Sequence, residues 1–292
     1  MMGTIFPDFG TGRGRNKQIS DLAHYVGSSL LPKLIYENAE TEAWKAFALG
    51  WLLHVHMDIN GHPFINRLAG EHKGGQEELT YEDDIALHAK LEFGLDLCLQ
   101  SKFGEIDVTR IRFPDFIENP LSTAYILYYG IEITKAEIEG FKQIPKQMNW
   151  LSNLQKYFSK HKKQREFITK IANIISPGNA EMLDAIIHPI KQADDVIEHY
   201  LGVIEQAKNV LLDKGKPNWL KHNYNLDTGS ISSIGDYKLA DKMFKSVDRL
   251  MIPKQIIERY PDKAEKILAN WESVRKEYNG NVIQKNLTKV IS

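Results

Sequence analysis

Apolar residues recur every three to four positions along most of this chain, which is the spacing of one face of an α-helix. No stretch alternates apolar and polar residues with the period of two that indicates a β-strand. The first regular segment begins at Ser20, a residue suited to N-capping, and runs to about Ile35. The pattern therefore predicts an all-α protein, a multi-helix bundle with additional C-terminal helices.

The second predicted helix, residues 42–59, is the centre of this pattern. Its middle, residues 46–55, is apolar almost all round, which is typical of a buried central helix. Gly61 and Pro63 are expected to end it, because glycine permits a left-handed cap and proline lacks a backbone donor. Residues 60–80 then predict a long loop, rich in glycine and charge, of the kind that often forms lids or binding loops.

Helical patterns separated by short breaks continue towards the C-terminus. A helix over residues 81–100 is followed by an irregular connection over 101–120, and a polar loop is expected over 213–237. Further helices are predicted near 122–130, 134–146, 148–160, 163–175 and 179–212, with two or three short ones after the loop. We expect two domains, residues 1–150 and a helical extension over residues 151–292.

Charge and cysteine content exclude several classes of protein. The 292 residues carry a formal net charge of -1, so no global field favours nucleic acid or a membrane. The locally basic stretch 156–165 is expected to be one solvated helix face. Cys98 is the only cysteine, which excludes an intrachain disulfide and a cysteine-based zinc site. No apolar run approaches the roughly 18 residues of a membrane span, and the N-terminus lacks a signal-peptide pattern, so we expect a cytoplasmic protein.

Histidine and carboxylate residues cluster in the first third of the chain. Six of the ten histidines lie between residues 24 and 88. His54, Asp58 and His62 are four residues apart, and residues four apart share one face of a helix. The same spacing returns at His88 and Glu92. Imidazole and carboxylate groups at this spacing on apolar helices are how helical proteins build zinc sites.

Seven side chains form the candidate metal-ligand set, too many for one tetrahedral zinc ion, which takes three or four ligands. In chain order they are Asp8, His24, His54, Asp58, His62, His88 and Glu92. Such a set suits two sites that share a carboxylate, an arrangement that splits phosphoesters. Taken alone, Asp8 is either a turn residue or a partly buried carboxylate, and His24 is either a core histidine or a ligand. His56 points about 200° away from His54 on the helix and is left out.

The order Asp, His, His-x3-Asp, His, His-x3-Glu resembles the zinc-dependent phospholipase C family. Related proteins are the N-terminal domain of glycosylphosphatidylinositol-specific phospholipase D and the single-strand-specific zinc nucleases. Four strings carry the likeness, over roughly residues 3–100: GTIFPDFG, SDLAHY, ALGWLLHVHMDINGHP and HAKLEFGLDL. The close spacing of Asp58 and His62 looks more like the phospholipase D branch. The resemblance implies a phospholipase C or zinc nuclease-like helical bundle, with a zinc-binding domain in residues 1–150.

The resemblance also implies a role for each ligand. A first zinc ion would be bound by Asp8, His24, His54 and Asp58, and Asp58 would bridge to a second metal. Another zinc ion would be bound by His62, His88 and Glu92. Two or three Zn2+ ions are therefore implied. The implied catalytic residues are Asp8, as general base or as the group that orients water, and Asp58. The implied reaction is hydrolysis of a phosphoester, with a phospholipid head group favoured as substrate and no nucleic acid expected.

The sequence departs from the family pattern at its start, and two alternatives stay open. Family members hold a further metal through ligands that precede the Pro-Asp segment, whereas only six residues precede Pro7 and none is histidine. We expect either that this metal is absent or that the natural chain starts upstream of Met1.

Two alternatives to a phosphoesterase also stay open. Carboxylates and histidines in a helical bundle can hold a di-iron centre. In the second alternative, the metal only stabilises the fold and no phosphoester is turned over.

Overall fold

Ten α-helices and two short β-hairpins make up the part of the chain that the computed structural model describes, which confirms the all-α prediction. The helices are α1 (Arg15–Tyr25), α2 (Leu30–Glu37), α3 (Glu42–His72), α4 (Ile85–Phe103), α5 (Glu118–Tyr129), α6 (Lys135–Phe141), α7 (Ile144–Lys160), α8 (Lys162–Ile175), α9 (Pro177–Ile187) and α10 (Asp194–Leu211). A 3-10 turn, Pro7–Gly10, precedes them. The described residues are 7–10, 15–25, 27–75, 77–104, 118–129, 133–175, 177–213, 216–233, 236, 261–262 and 264–265. Within these ranges, no helix has the length and apolar character needed to cross a lipid bilayer.

The segment predicted as one helix over residues 20–35 is two helices, α1 and α2. Between them, Ser28 Oγ donates to the backbone oxygen of Tyr224 and accepts from the Tyr224 N–H, both at 2.9 Å. These two bonds tie the chain at the break between the helices to a distant segment. The prediction of one continuous helix was wrong because the partner lies 196 positions away in the sequence.

Helix α3 continues through Gly61 and Pro63 to His72, so the predicted end near residue 59 was wrong. A proline inside a helix costs about 3 kcal/mol. Three side chains beyond it, those of Phe64, Ile65 and Ala69, are buried in one cluster with apolar residues of α4. Burying a Phe or Ile side chain stabilises by roughly 1.5–3 kcal/mol each, which offsets the proline. The predicted loop over residues 60–80 therefore shrinks to the short connection between α3 and α4.

The long helix predicted over residues 179–212 is also two helices, α9 and α10, with Pro189 in the break. Here the chain runs directly along the backbone of α4. The N–H of Ile190 donates to the Lys90 oxygen at 3.0 Å. A Cβ atom placed on Gly94, one turn further along α4, would lie 1.8 Å from the Ile190 oxygen. Only glycine fits at that position.

The chain divides into two compact units. The first comprises Met1–His56, Phe113–Lys142 and Val210–Ser292, and the second comprises Met57–Arg112 and Gln143–Asn209. In the first unit, the buried Tyr125 of α5 donates from its hydroxyl to the Ile19 oxygen of α1 at 2.7 Å. In the second unit, one apolar cluster joins α3, α4 and α10, and another joins α7, α8 and α9. The predicted domains, residues 1–150 and 151–292, stay a prediction.

Two antiparallel hairpins occupy part of the segment predicted as a polar loop. Strand β1 (Leu212–Asp213) pairs with β2 (Lys216–Pro217), and β3 (Tyr224–Asn225) pairs with β4 (Ser230–Ile231). The turn of the second hairpin is bound to the end of α1. The N–H of Leu226 donates to the His24 oxygen at 3.0 Å, and the Tyr25 hydroxyl donates to Asp227 at 2.7 Å. The hairpin thereby holds the last turn of α1, which carries His24.

Replacing Gly94 with alanine is expected to destabilise the fold strongly, because the new methyl group would meet backbone rather than a flexible side chain. Overpacking typically costs about 1–3 kcal/mol, and we expect a value at or above the top of that range. Gly202→Ala on α10 is the matched control, since nothing lies within 4 Å of a Cβ placed there. The control should gain roughly 0.4–1 kcal/mol. Urea unfolding measures both, and equal midpoints for the two variants would contradict the close approach of Ile190 to α4.

Candidate metal centres

In the first unit, Asp8, His24 and His54 converge and form what we call the Asp8 group. Each residue offers one ligand atom, and these atoms all lie within 4.8 Å of one another. The His24 Nε2 atom is 3.1 Å from Asp8 Oδ1, and the His54 Nδ1 atom is 3.8 Å from Asp8 Oδ2. Both imidazoles are buried, whereas 52% of the Asp8 side chain is exposed. Three of the seven predicted ligands are thus brought together from three separate elements.

Backbone contacts hold the Asp8 group in place. Ser20, one turn before His24 on α1, donates from its hydroxyl to the Pro7 oxygen and so fixes the residue next to Asp8. The backbone oxygen of Ser20 lies 2.8 Å from His24 Nδ1. A carbonyl oxygen can only accept, so Nδ1 is the donor and carries the proton in this contact. A hydrogen bond at one ring nitrogen of a histidine leaves the other ring nitrogen to bind a metal ion.

The donor chemistry of the Asp8 group fits a metal cation. With its proton on Nδ1, a neutral His24 presents a lone pair on Nε2. That lone pair faces a carboxylate oxygen of Asp8 at 3.1 Å. Two acceptors at this distance repel each other unless a proton or a metal ion lies between them. Zinc binds imidazole nitrogen and carboxylate oxygen, so the group is a suitable zinc site.

In the second unit, His62, His88 and Glu92 form the Glu92 group, with ligand atoms also within 4.8 Å of one another. The Nε2 atoms of His62 and His88 each lie 3.4 Å from Glu92 Oε1. The two rings meet edge to face at 5.4 Å, and Tyr81 covers His88 at 5.5 Å. Only 1% of the His88 side chain is exposed, against 42% of the Glu92 side chain. The Glu92 group therefore has one buried imidazole, that of His88, one partly buried imidazole, that of His62, and a half-exposed carboxylate.

The Glu92 carboxylate is held in its charged form. Surrounding protein removes water and opposes ionisation, although part of the side chain remains open to solvent. Hydrogen bonding and charge interactions with His62 and His88 outweigh this desolvation and hold the pKa of Glu92 well below its usual range. A carboxylate must be ionised to bind a metal ion. Glu92 is therefore prepared as a ligand at neutral pH.

The distances in the Glu92 group match a tetrahedral zinc site. Ligand atoms placed about 2.0–2.1 Å from a tetrahedral zinc ion lie about 3.3–3.4 Å from one another. Both nitrogen-to-oxygen distances in the group are 3.4 Å. The buried Nδ1 of His88 has no hydrogen-bond partner among the described residues. Two imidazoles and one carboxylate are also the protein ligands of several catalytic zinc sites, which keep a fourth position for water.

Asp58, the seventh predicted ligand, lies on α3 one turn before His62, and its Oδ2 atom is buried. It belongs to neither group among the residues that the structure describes. Its roles as ligand and bridge stay predictions. His56, which the sequence analysis left out, also lies outside both groups. Desolvation lowers the pKa of His56, against the effect of a hydrogen bond with the Asn218 backbone.

Tyr200 on α10 is a further residue near the Glu92 group, and it is not among the seven predicted ligands. A Cβ atom on Gly61, the residue before His62, would lie 3.6 Å from the Tyr200 ring and 3.8 Å from its hydroxyl. Burial, followed by the charges of Glu92, Asp96 and Asp58, raises the pKa of Tyr200, so its hydroxyl keeps its proton. Asp96 lies in the same acidic surroundings, where desolvation and the charge of Glu92 raise its pKa to about 6. No spacing pattern links Tyr200 to the histidines, so only the fold reveals it.

Comparison with known proteins agrees with this geometry. The family model described as zinc dependent phospholipase C matches residues 1–168. Neither the curated proteins nor the solved structures contain a match. The matched region covers more than half of the chain and contains both ligand groups. The resemblance inferred from the order of the ligands is confirmed, and the chain belongs to the zinc-dependent phospholipase C family.

Proposed function

We propose that the protein is a zinc-dependent hydrolase of phosphoesters and that its substrate carries a phospholipid head group. The observation that carries the proposal is the repeated convergence of two imidazoles, at least one of them buried, and one half-exposed carboxylate. Zinc takes this donor set at catalytic sites. The family to which the chain belongs supports zinc as the metal and a lipid as the substrate.

In this proposal, different residues of the chain bind the metal, accept the proton of the water and donate a hydrogen bond to the phosphoryl group. Zinc bound at either group would polarise a phosphoryl oxygen and lower the pKa of a bound water. Asp8 is our candidate for the base, because a half-exposed carboxylate can meet the attacking water. The water oxygen bonds to phosphorus as the bond to the ester oxygen breaks. The proton that the water gives to Asp8 then passes to the departing ester oxygen, so the products are an alcohol and a phosphate monoester. In the second unit, Tyr200, with a neutral hydroxyl, is our candidate donor to a phosphoryl oxygen at the Glu92 group.

Hydrolysis of a soluble short-chain phosphatidylcholine is expected to stop on chelation and to return when zinc is restored. The reason is that the ligand groups alone supply no Lewis acid. Head-group release measures turnover, and circular dichroism on the same samples reports whether the chain stays folded. A chain that unfolds on chelation, and turns over no phosphoester even with zinc restored, would instead support a purely structural metal.

The donor set favours zinc over iron. The two groups contain four imidazoles and two carboxylates. Di-iron sites in helical bundles are built mainly from carboxylates, with fewer histidines. Elemental analysis of the purified protein should therefore find zinc in excess of iron. A visible absorption band together with stoichiometric iron would favour the di-iron alternative.

A further inference from the structure

Helix α8 has one apolar face, which is buried along one edge and open to solvent over the rest. The buried edge contributes Ile168 to the buried cluster around Phe158 in the second unit. The rest of this face is open to solvent, with exposed fractions of 62% for Phe167, 36% for Ile171, 81% for Ile174 and 76% for Ile175. At 100° per residue these four side chains span about 100° of the helix surface. We call them the α8 stripe.

The α8 stripe lies in the most basic part of the chain. Residues 142–180 contain eight lysines and arginines and one acid, Glu166, although the whole chain has a net charge of -1. Lys163 and Lys170 are exposed and lie within about 60° of Phe167, along one edge of the stripe. The face predicted to be solvated, residues 156–165, ends before the four exposed apolar side chains of α8. That prediction therefore does not account for them.

We propose that α8 is an interfacial helix that docks the protein on an anionic phospholipid bilayer. A helix with an apolar stripe and lysines beside it lies in the plane of a membrane surface, with the stripe among the acyl chains. The lysines then meet the negative head groups. The bilayer suits this face better than a second copy of the chain, because pairing two copies through α8 would bring basic surfaces together.

Docking and catalysis are separable. The binding of α8 to lipid rests on its own surface and does not depend on the metal chemistry. Its contribution to turnover rests on the proposed function, since a docked enzyme meets lipid head groups at high local concentration. Variants in the α8 stripe should therefore hydrolyse soluble short-chain phosphatidylcholine at the wild-type rate and lose activity on vesicles.

Vesicle co-sedimentation tests the proposal on the full chain. The probes are vesicles of phosphatidylcholine alone and of phosphatidylcholine mixed with phosphatidylglycerol. The wild type should sediment with the mixed vesicles, and less so at high salt, because exposed charges are screened. Ile174→Ser combined with Ile175→Ser should weaken binding at least about tenfold, because two buried apolar side chains are lost. Lys163→Gln combined with Lys170→Gln should weaken it on the anionic vesicles, each lysine by roughly fivefold.

Phe103→Ser is the matched control, since Phe103 ends α4 and is 65% exposed but lies outside the α8 stripe. It should bind vesicles like the wild type. Absence of binding by the wild type would overturn the proposal, as would an equal loss in Phe103→Ser. A concentration-dependent dimer that disappears in the isoleucine variant would assign the stripe to a second copy instead. Binding without turnover of any phosphoester would retain the docking helix and reject the proposed function.

Discussion

Replacing His88 with alanine is expected to remove one zinc ion per chain and to abolish phosphoester hydrolysis. His88 is almost completely buried, and its Nε2 atom lies 3.4 Å from Glu92 Oε1. Without it, the Glu92 group retains one imidazole and one carboxylate. Loss of an outer partner of a ligand already weakens metal binding roughly 10- to 100-fold, and loss of a ligand should weaken it further.

Elemental mass spectrometry of the purified protein measures this directly. The wild type should hold about two or three zinc ions, one for each ligand group and a third if the further metal of the family is bound. Glu92→Gln is a second variant, chosen because it removes the charge of a ligand while keeping its volume. His72→Ala is the control, since His72 is an exposed histidine at the end of α3. Undiminished zinc in His88→Ala and Glu92→Gln would reject the Glu92 group as a metal site.

Asp58→Asn is expected to lower turnover by roughly 10²- to 10³-fold, the loss typical when one electrostatic group of an active site is removed. Asparagine has almost the same shape as aspartate, so the folded structure should survive. What changes is the negative charge, which lies close enough to Tyr200 to raise the pKa of its hydroxyl. If Asp58 only supports the packing of α3, the amide should serve equally well.

The matched control for this experiment is Asp195→Asn, because Asp195 is an exposed acid in the first turn of α10. Rates on soluble phosphatidylcholine and zinc content should be measured together. Loss of zinc along with activity would support Asp58 as a ligand. Loss of activity with full zinc content would assign it to the reaction itself. Full activity in Asp58→Asn would remove it from the site.

The parts of the site that the sequence predicts are those set by spacing along one helix. His88 and Glu92 lie four apart on α4, and both belong to the Glu92 group. Asp8 and His24 were identified as ligands only through the resemblance to the family. They lie 16 residues apart on different elements, so no helical spacing links them. Tyr200 approaches from a helix far along the chain, and no local pattern indicates it. Long-range packing decides such contacts, and a single sequence does not display it.

The misplaced helix ends have the same physical origin. Gly61 and Pro63 carry a strong local signal for a helix end, yet α3 continues because the side chains beyond them are buried. In the other direction, the continuous stripe from Leu22 to Leu34 predicted one helix, and a bond from Ser28 to Tyr224 accompanies the break. Local propensity gives the type of secondary structure here, whereas tertiary contacts fix where each helix begins and ends.

The unequal exposure within each ligand group bears on how fast a metal ion can enter and leave. In both groups the imidazoles are more enclosed than the carboxylate, which has 42–52% of its side chain exposed and forms the outer side. An incoming ion would meet the flexible, charged carboxylate first and the rigid imidazoles last. Loading would then need only a swing of one side chain, so a chain that folds without zinc could acquire it afterwards. A competing chelator would reach the same outer side first, so we expect a metal ion bound at either group to be exchangeable rather than permanently enclosed.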